Sequence, residues 1–531
     1  MKDKKKMRLK KFYFHPITIF VFLTIFVMIF SSILSAFQAQ ATYNMVNVNT
    51  KELEPTLIAV ENLLSFNEIQ FMISNASKNF LSFGPLGMIL LALIGITIAE
   101  GTGFIETFTR RHLSKMTDGG MTFLVIFLAT VSSIVNEVGY AILIPLAALI
   151  YFISKRNPIL GIVTAFCGVS FGYGVSIFAG SMEVDLIQYT QQVALLIDEN
   201  VHIALSSNLI FIIVTSFVLS IVGTLIIEKI IAPKLGTYKK EEVFSKTEEY
   251  KVINLVDEEQ REKERDKYEK RGLRMALITS IIILLVFIYS IIPGLPFSGL
   301  LLDAKESTYA NQLFGSNSYF QEGFSYLVCL LFSIAGIAYG IGSKSIKNDK
   351  DIIENASKKF GNMGSVIILI FVVAQFISVF RRSNIGMVLT TWLAELLGTL
   401  NLSGIPLVLV ALLFVAISNL VLTSPTSKWM ILSPIIVPMC MQANISPEFA
   451  QIIMRAGDSM TKGFTPMLAS FVIYIGFLNM YNLEKNKPYT IRKSLQLIWP
   501  YFAIIAITWI LLVVIWYLIG IPIGPGVFPT I

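Results

Sequence analysis

The sequence predicts an all-α polytopic membrane protein, and three observations carry that reading. The first is composition. Of 531 residues, 54% are hydrophobic and only 15% are charged, with a mean hydropathy of +0.70, whereas a soluble domain carries roughly a quarter charged residues. The second is run length. Apolar stretches at 17–36, 81–99, 209–231, 276–292, 360–379 and 498–519 each approach or exceed the ~20 residues a membrane helix needs. Short alternating segments of the outer-membrane barrel type are absent. The third is a pair of Pro- and Gly-interrupted segments that register with one another.

The loops alternate in charge as membrane loops do. The basic start, 1–11, places the N-terminus in the cytoplasm, and the polar segment 38–78 has few Lys or Arg and reads as extracytoplasmic. Arg110, Arg111, His112 and Lys115 return the chain inside, as do 344–359 later. The net charge of +7 therefore marks topology and not nucleic-acid binding. The first apolar run is longer than a signal-peptide core, so it is expected to stay as a membrane helix. The stretch 121–154 is too long for one helix and is divided at Asn136-Glu137-Val138-Gly139. The mixed-charge segment 233–271 reads as a cytoplasmic linker between an N-terminal half, 1–232, and a C-terminal half, 272–531. Its Glu/Lys spacing from Asp257 to Arg271 suits a short exposed helix.

At a constant offset of 289 residues, Pro145 meets Pro434, Pro158 meets Pro447, Gly168 meets Gly457, Ser170 meets Ser459, Gly174 meets Gly463 and Ser176 meets Thr465. Helix-breaking residues at unchanged spacing in two halves are a pointer to a transporter binding site. In lipid an unpaired N–H or C=O costs several kcal/mol, so broken backbone survives only inside protein or beside water. There, half-helix N-termini attract anions and free carbonyls can hold cations.

Ionisable residues in such segments are expensive to insert and are usually functional. Arg455 and Asp458 stand three apart and share a helical face. They form an ion pair, or divide the work, with Arg455 holding a substrate carboxylate and Asp458 a coupling cation. Asn419, in the apolar run 405–422, is a neutral ligand for the same cation, and Asn136-Glu137 holds a comparable place before the first repeat. Cys167, Cys329 and Cys440 lie in apolar surroundings without a CxxC pattern, and three scattered histidines make no metal centre. Gly168-Val169-Ser170-Phe171-Gly172 matches the nucleophile elbow of hydrolases, but it lies in an apolar repeat with no evident His/Asp pair.

The residues Glu100-Gly101-Thr102-Gly103, Asn136 to Tyr140, Asn157-Pro158, Ser427-Lys428-Trp429, Ser446-Pro447, Arg455 to Ser459 and Thr465-Pro466 resemble the p-aminobenzoyl-glutamate transporter (AbgT) family over most of the chain. That resemblance implies a homodimer in the bacterial inner membrane. Each protomer would have about nine membrane helices plus two re-entrant helical hairpins in an inverted repeat. It places the hairpins at about 157–181 and 424–447, with a broken helix at about 448–480. It implies ion-coupled transport of p-aminobenzoyl-glutamate or related aromatic compounds, or export of sulfonamide antimetabolites, with no cofactor except a bound Na⁺ near the hairpins. It assigns Asp458 and Asn419 to the cation site, and Trp429, Arg455, Thr426, Pro447, Pro466, Glu183 and Ser176 to substrate-binding positions.

The chain departs from the family pattern where Glu183 stands for the usual hairpin Asp, with Asp185 close by, where Ser176 replaces an Asn, and where Arg381-Arg382 adds charge. A dianionic aromatic cargo asks for a cation, met by Arg455, and for a ring platform, met by Trp429 through stacking. A Na⁺/dicarboxylate carrier, an intramembrane enzyme and a channel are the competing readings.

Overall fold

The computed structural model describes residues 14–46, 52–135, 137–238, 258–315, 317–484 and 487–531. Asn136, the basic start and the middle of the charged linker lie outside the described residues.

The N-terminal half opens with α1 (Pro16–Ala36), a two-stranded antiparallel ribbon of β1 (Gln40–Val46) and β2 (Leu53–Ala59), and α2 (Phe66–Leu81). The ribbon pairs Gln40 with Ala59 through to Val46 with Leu53. It is the one β element among the described residues of an otherwise helical chain. Then follow α3 (Gly84–Gly101), α4 (Phe104–Arg111), α5 (Asp118–Val131), α6 (Val138–Ile153), α7 (Pro158–Phe171), α8 (Ser181–Ala194), α9 (Leu209–Ile226) and α10 (Ala232–Leu235). A short 3-10 turn, Ser132–Val135, separates α5 from α6, so the long apolar run does break where the sequence places the division.

The C-terminal half runs through α11 (Glu258–Ser290), α12 (Tyr309–Phe314), α13 (Tyr319–Ser343), α14 (Asp349–Phe360), α15 (Gly364–Arg382), α16 (Ile385–Gly398) and α17 (Gly404–Asn419). It continues through α18 (Pro425–Gln442), α19 (Pro447–Lys462), α20 (Phe471–Met480) and α21 (Ile491–Ile519). The charged end of α11 is not the short exposed helix the spacing suggests. It continues without a break into an apolar span, and its Glu269 is buried against Arg110 at 2.7 Å and Arg111 at 2.8 Å.

Among the described residues, eight helices are long and apolar enough to cross a membrane: Pro16–Ala36, Phe66–Gly101, Asp118–Val135, Leu209–Leu235, Glu264–Ser290, Tyr319–Ser343, Gly364–Arg382 and Ile491–Ile519. The apolar helices α6, α7, α16, α17 and α20 are shorter, at 10–17 residues. Burial differs sharply between individual helices. In the best apolar window of Glu264–Ser290 only 11% of residues are covered by the protein itself, which leaves that helix for lipid. All fourteen residues of α7 are buried.

The repeat appears as matching helix starts and breaks. Asn157 caps α7 by accepting from the Ile159 amide at 3.0 Å, and Ser446 caps α19 by accepting from the Phe449 amide at 3.3 Å. Each cap is followed by a proline whose missing N–H costs nothing in the first turn. Both helices then end in non-helical stretches, 172–180 and 463–470, and these breaks meet. A side chain at Gly174 would put a Cβ 2.5 Å from Ser459 Oγ, and one at Gly463 would put a Cβ 2.8 Å from that of Ser170. Only glycine allows so close an approach.

Candidate functional site

Two helix starts, the first turns of α8 and α18, converge with the middle of α19 beside these breaks. Ser424 caps α18 and Pro425 opens it, which fixes Thr426, Lys428 and Trp429 within its first turn and a half. The stretch 420–424, between α17 and α18, leaves backbone carbonyls without helical partners.

Arg455 is wholly buried. Its Nη1 donates to Glu183 Oε1 at 2.8 Å and to the Gly174 carbonyl at 2.7 Å. The sequence-level pairing of Arg455 with Asp458 is corrected here. The guanidinium reaches across to the first repeat, because Glu183 is held in place by the Gly180 amide, which donates to its Oε2 at 2.6 Å. Among the described residues, Arg455 Nε and Nη2 have no hydrogen-bond partner.

Asp458 is also wholly buried, and its partner is Lys428, which sequence reading passed over. The Lys428 ammonium donates to Asp458 Oδ1 and, at 2.7 Å, to Asn419 Oδ1. The Asn419 amide nitrogen donates to the Asp458 carbonyl at 2.7 Å and to Thr461 Oγ1 at 3.1 Å. The structure thus brings Asp458 and Asn419 together. A second ammonium, Lys462, stands 3.6 Å from Asp458 Oδ2, 3.3 Å from the Thr423 carbonyl and 3.7 Å from the centre of the Tyr173 ring. Two signals could have found these lysines: each is an ionisable residue in a membrane-buried helix, and Lys462 is four residues after Asp458.

The remaining assigned residues fall in different places. Thr426 donates to Asp185 Oδ2 at 2.7 Å, so the two hairpin acids divide: Glu183 serves Arg455 and Asp185 serves Thr426. Trp429 is fully buried, and its indole N–H donates to Thr190 Oγ1 at 2.9 Å. Ser176 is buried; its carbonyl accepts from Ser216 at 3.0 Å, and its hydroxyl has no partner among the described residues. Pro447 starts α19, and Pro466 lies half-buried in the break that follows it. Ser170 sits inside α7, not on a strand-to-helix turn, so it is no nucleophile elbow.

A cavity of about 910 Å³ opens beside this cluster. Its lining includes Ser181, Asp185, Thr423, Thr426, Glu137 and Tyr173, together with Arg381, Arg382 and Asn384. The added charge at 381–382 is partly spent: Arg382 makes a two-pronged pair with Glu68 at 2.8 and 2.7 Å. Tyr173 and Thr423 separate the cavity from Lys462. Trp429, Arg455 and Asp458 lie behind the wall and not on it.

A profile of the AbgT transporter family matches residues 9–531. The chain belongs to the AbgT transporter family. It is 29% identical over 517 residues to the p-aminobenzoyl-glutamate transport protein of Escherichia coli (strain K12), covering 97% of this chain and 94% of that one. Among solved structures it is similar to the YdaH transporter of Alcanivorax borkumensis, at 28% identity and a TM-score of 0.47 over 96% of this chain and 100% of the other. It is also similar to Neisseria gonorrhoeae MtrF, described within a class of antimetabolite efflux pumps, at 30% identity and a TM-score of 0.48 over 97% and 98%. This AbgT transporter is therefore a multi-pass membrane carrier and not an enzyme.

Proposed function

We propose that this transporter moves p-aminobenzoyl-glutamate or closely related aromatic amido acids across the bacterial inner membrane, driven by an ion gradient. The observation that carries the reading is Arg455, a buried guanidinium whose Nε and Nη2 have no partner among the described residues, paired with Glu183 two residues from Asp185 in the lining of a 910 Å³ cavity. Cavities of a few hundred to about 1,000 Å³ suit small-molecule cargo. A planar pair of N–H donors matches a carboxylate two-prong to two-prong. The E. coli relative, aligned over 97% of this chain, is described by that same cargo.

Alternating exposure would bring Arg455 to the cavity when the wall formed by the first turns of α8 and α18 shifts. Trp429, now donating to Thr190 on α8, would move with that wall as part of the substrate site. The basic N-terminal residues and the basic loops support a cytoplasmic N-terminus, and the family resemblance supports a homodimer.

The test is uptake and efflux of labelled p-aminobenzoyl-glutamate and of a sulfonamide in proteoliposomes, with Na⁺ and H⁺ gradients imposed separately. Concentrative flux of the first compound that aromatic amido acids inhibit and plain dicarboxylates do not is the expected result. Inhibition by succinate with indifference to the ring would overturn the cargo assignment.

A further inference from the structure

The seat that the sequence assigns to a coupling cation is taken by the chain's own Lys428. Its ammonium lies between Asn419 Oδ1, at 2.7 Å, and Asp458 Oδ1, with 0% side-chain exposure at Lys428 and Asp458. The nitrogen of Asn419 is bonded to the Asp458 carbonyl and to Thr461, which turns its oxygen toward Lys428.

Three nearby backbone oxygens, two in the break and one in α17, already accept hydrogen bonds. The Thr423 carbonyl accepts from Lys462 at 3.3 Å, the Leu420 carbonyl from Thr465 at 2.8 Å, and the Ala416 carbonyl from Thr461 at 3.0 Å. With Lys462 3.6 Å from Asp458 Oδ2, a metal ion added here would be a third cation around a single carboxylate. Like charges a few ångströms apart repel strongly where the dielectric is low. The oxygens that would hold Na⁺ are the right kind and in the right place, but Lys428 already sits between Asn419 Oδ1 and Asp458 Oδ1, and Asp458 Oδ2, which has no hydrogen-bond partner among the described residues, faces Lys462. The residues present do not fit Na⁺.

We propose that Lys428 is a tethered cation that replaces Na⁺ at the Asn419–Asp458 position, so that this transporter binds no Na⁺ there. The inference rests on that pair being the cation position and is independent of the cargo.

The test is equilibrium binding of ²²Na⁺ to the full chain in nanodiscs, with thermal unfolding in NaCl against choline chloride at equal ionic strength. The wild type is expected to show no saturable ²²Na⁺ uptake and the same midpoint in both salts. Lys428→Met removes the ammonium while keeping an unbranched chain, and is expected to gain saturable Na⁺ binding and a midpoint that rises in NaCl alone. Saturable Na⁺ binding by the wild type that disappears in Asp458→Asn would overturn the proposal. So would a folded Lys428→Met protein that takes up no Na⁺, since the oxygens would then form no cation seat. If Lys428→Met does not fold, the wild-type measurement still decides. Flux is no part of the readout, so an incorrect cargo would leave the result standing.

Discussion

Arg455 and Glu183 meet at 2.8 Å although 272 residues separate them in the chain. Arg455 comes from the middle of α19 and Glu183 from the first turn of α8, and both are buried. The contact ties the broken helix of the second half to the break of the first, because the same guanidinium nitrogen also holds the Gly174 carbonyl at 2.7 Å.

Removing one member of such a pair leaves the other charge uncompensated, at a cost of about 3–5 kcal/mol. Arg455→Ala is therefore expected to lose transport and to lower the unfolding midpoint, with Glu183→Gln added to it restoring stability but not transport. Arg455→Lys should recover little flux, because an ammonium lacks the planar fork. Thermal unfolding and proteoliposome flux on the same preparations check this; normal transport by the Lys variant would count against two-pronged recognition.

Asp458 balances Lys428 and, at longer range, Lys462. Asp458→Asn keeps the size but leaves two buried ammonium groups without a carboxylate, so the variant is expected to be destabilised by several kcal/mol and uncoupled from any gradient. Asp458→Asn combined with Lys428→Met should recover part of the stability. A double-mutant cycle in thermal unfolding reads the coupling, and strict additivity would contradict the pairing.

Trp429 donates to Thr190 across the α18–α8 contact. Thr190→Val removes the acceptor and strands the indole N–H, with an expected loss of about 1–3 kcal/mol. The Trp429→Phe, Thr190→Val double variant should lose less than the two single losses summed, and should come close to the worse single variant in chemical unfolding. Independent losses would mean that the hydrogen bond contributes nothing.

Thr426, which lines the cavity, is half-buried, while Ser459 is wholly buried. A cysteine at Thr426 should react readily with a small aqueous thiol reagent, while one at Ser459, which is buried and bonded to the Gly174 amide at 2.8 Å, should stay protected until cargo cycling opens the wall. The native Cys167, Cys329 and Cys440 are buried and give little background. Equal labelling at both engineered positions would contradict the wall.

The membrane architecture was legible in the sequence because lipid imposes a one-dimensional rule: an apolar run of sufficient length must be a helix. The breaks were legible too, since Asn157-Pro158, Ser446-Pro447 and the glycines after them stop and start helices through local backbone chemistry. The nearness of Asn419 to Asp458 followed from the family resemblance and not from spacing. The pairing of buried charges was not legible. A charge costs too much to bury alone, but which opposite charge answers it depends on which helix faces which. Asp458 could have paired with Arg455 on its own helix face; the packing of α18 gave it Lys428 instead and sent Arg455 to Glu183. Sequence by itself determined that this chain must place polar groups at broken helices inside a membrane. The tertiary structure alone decided which of them neutralise one another, because that choice is made by distances between segments that local rules do not relate.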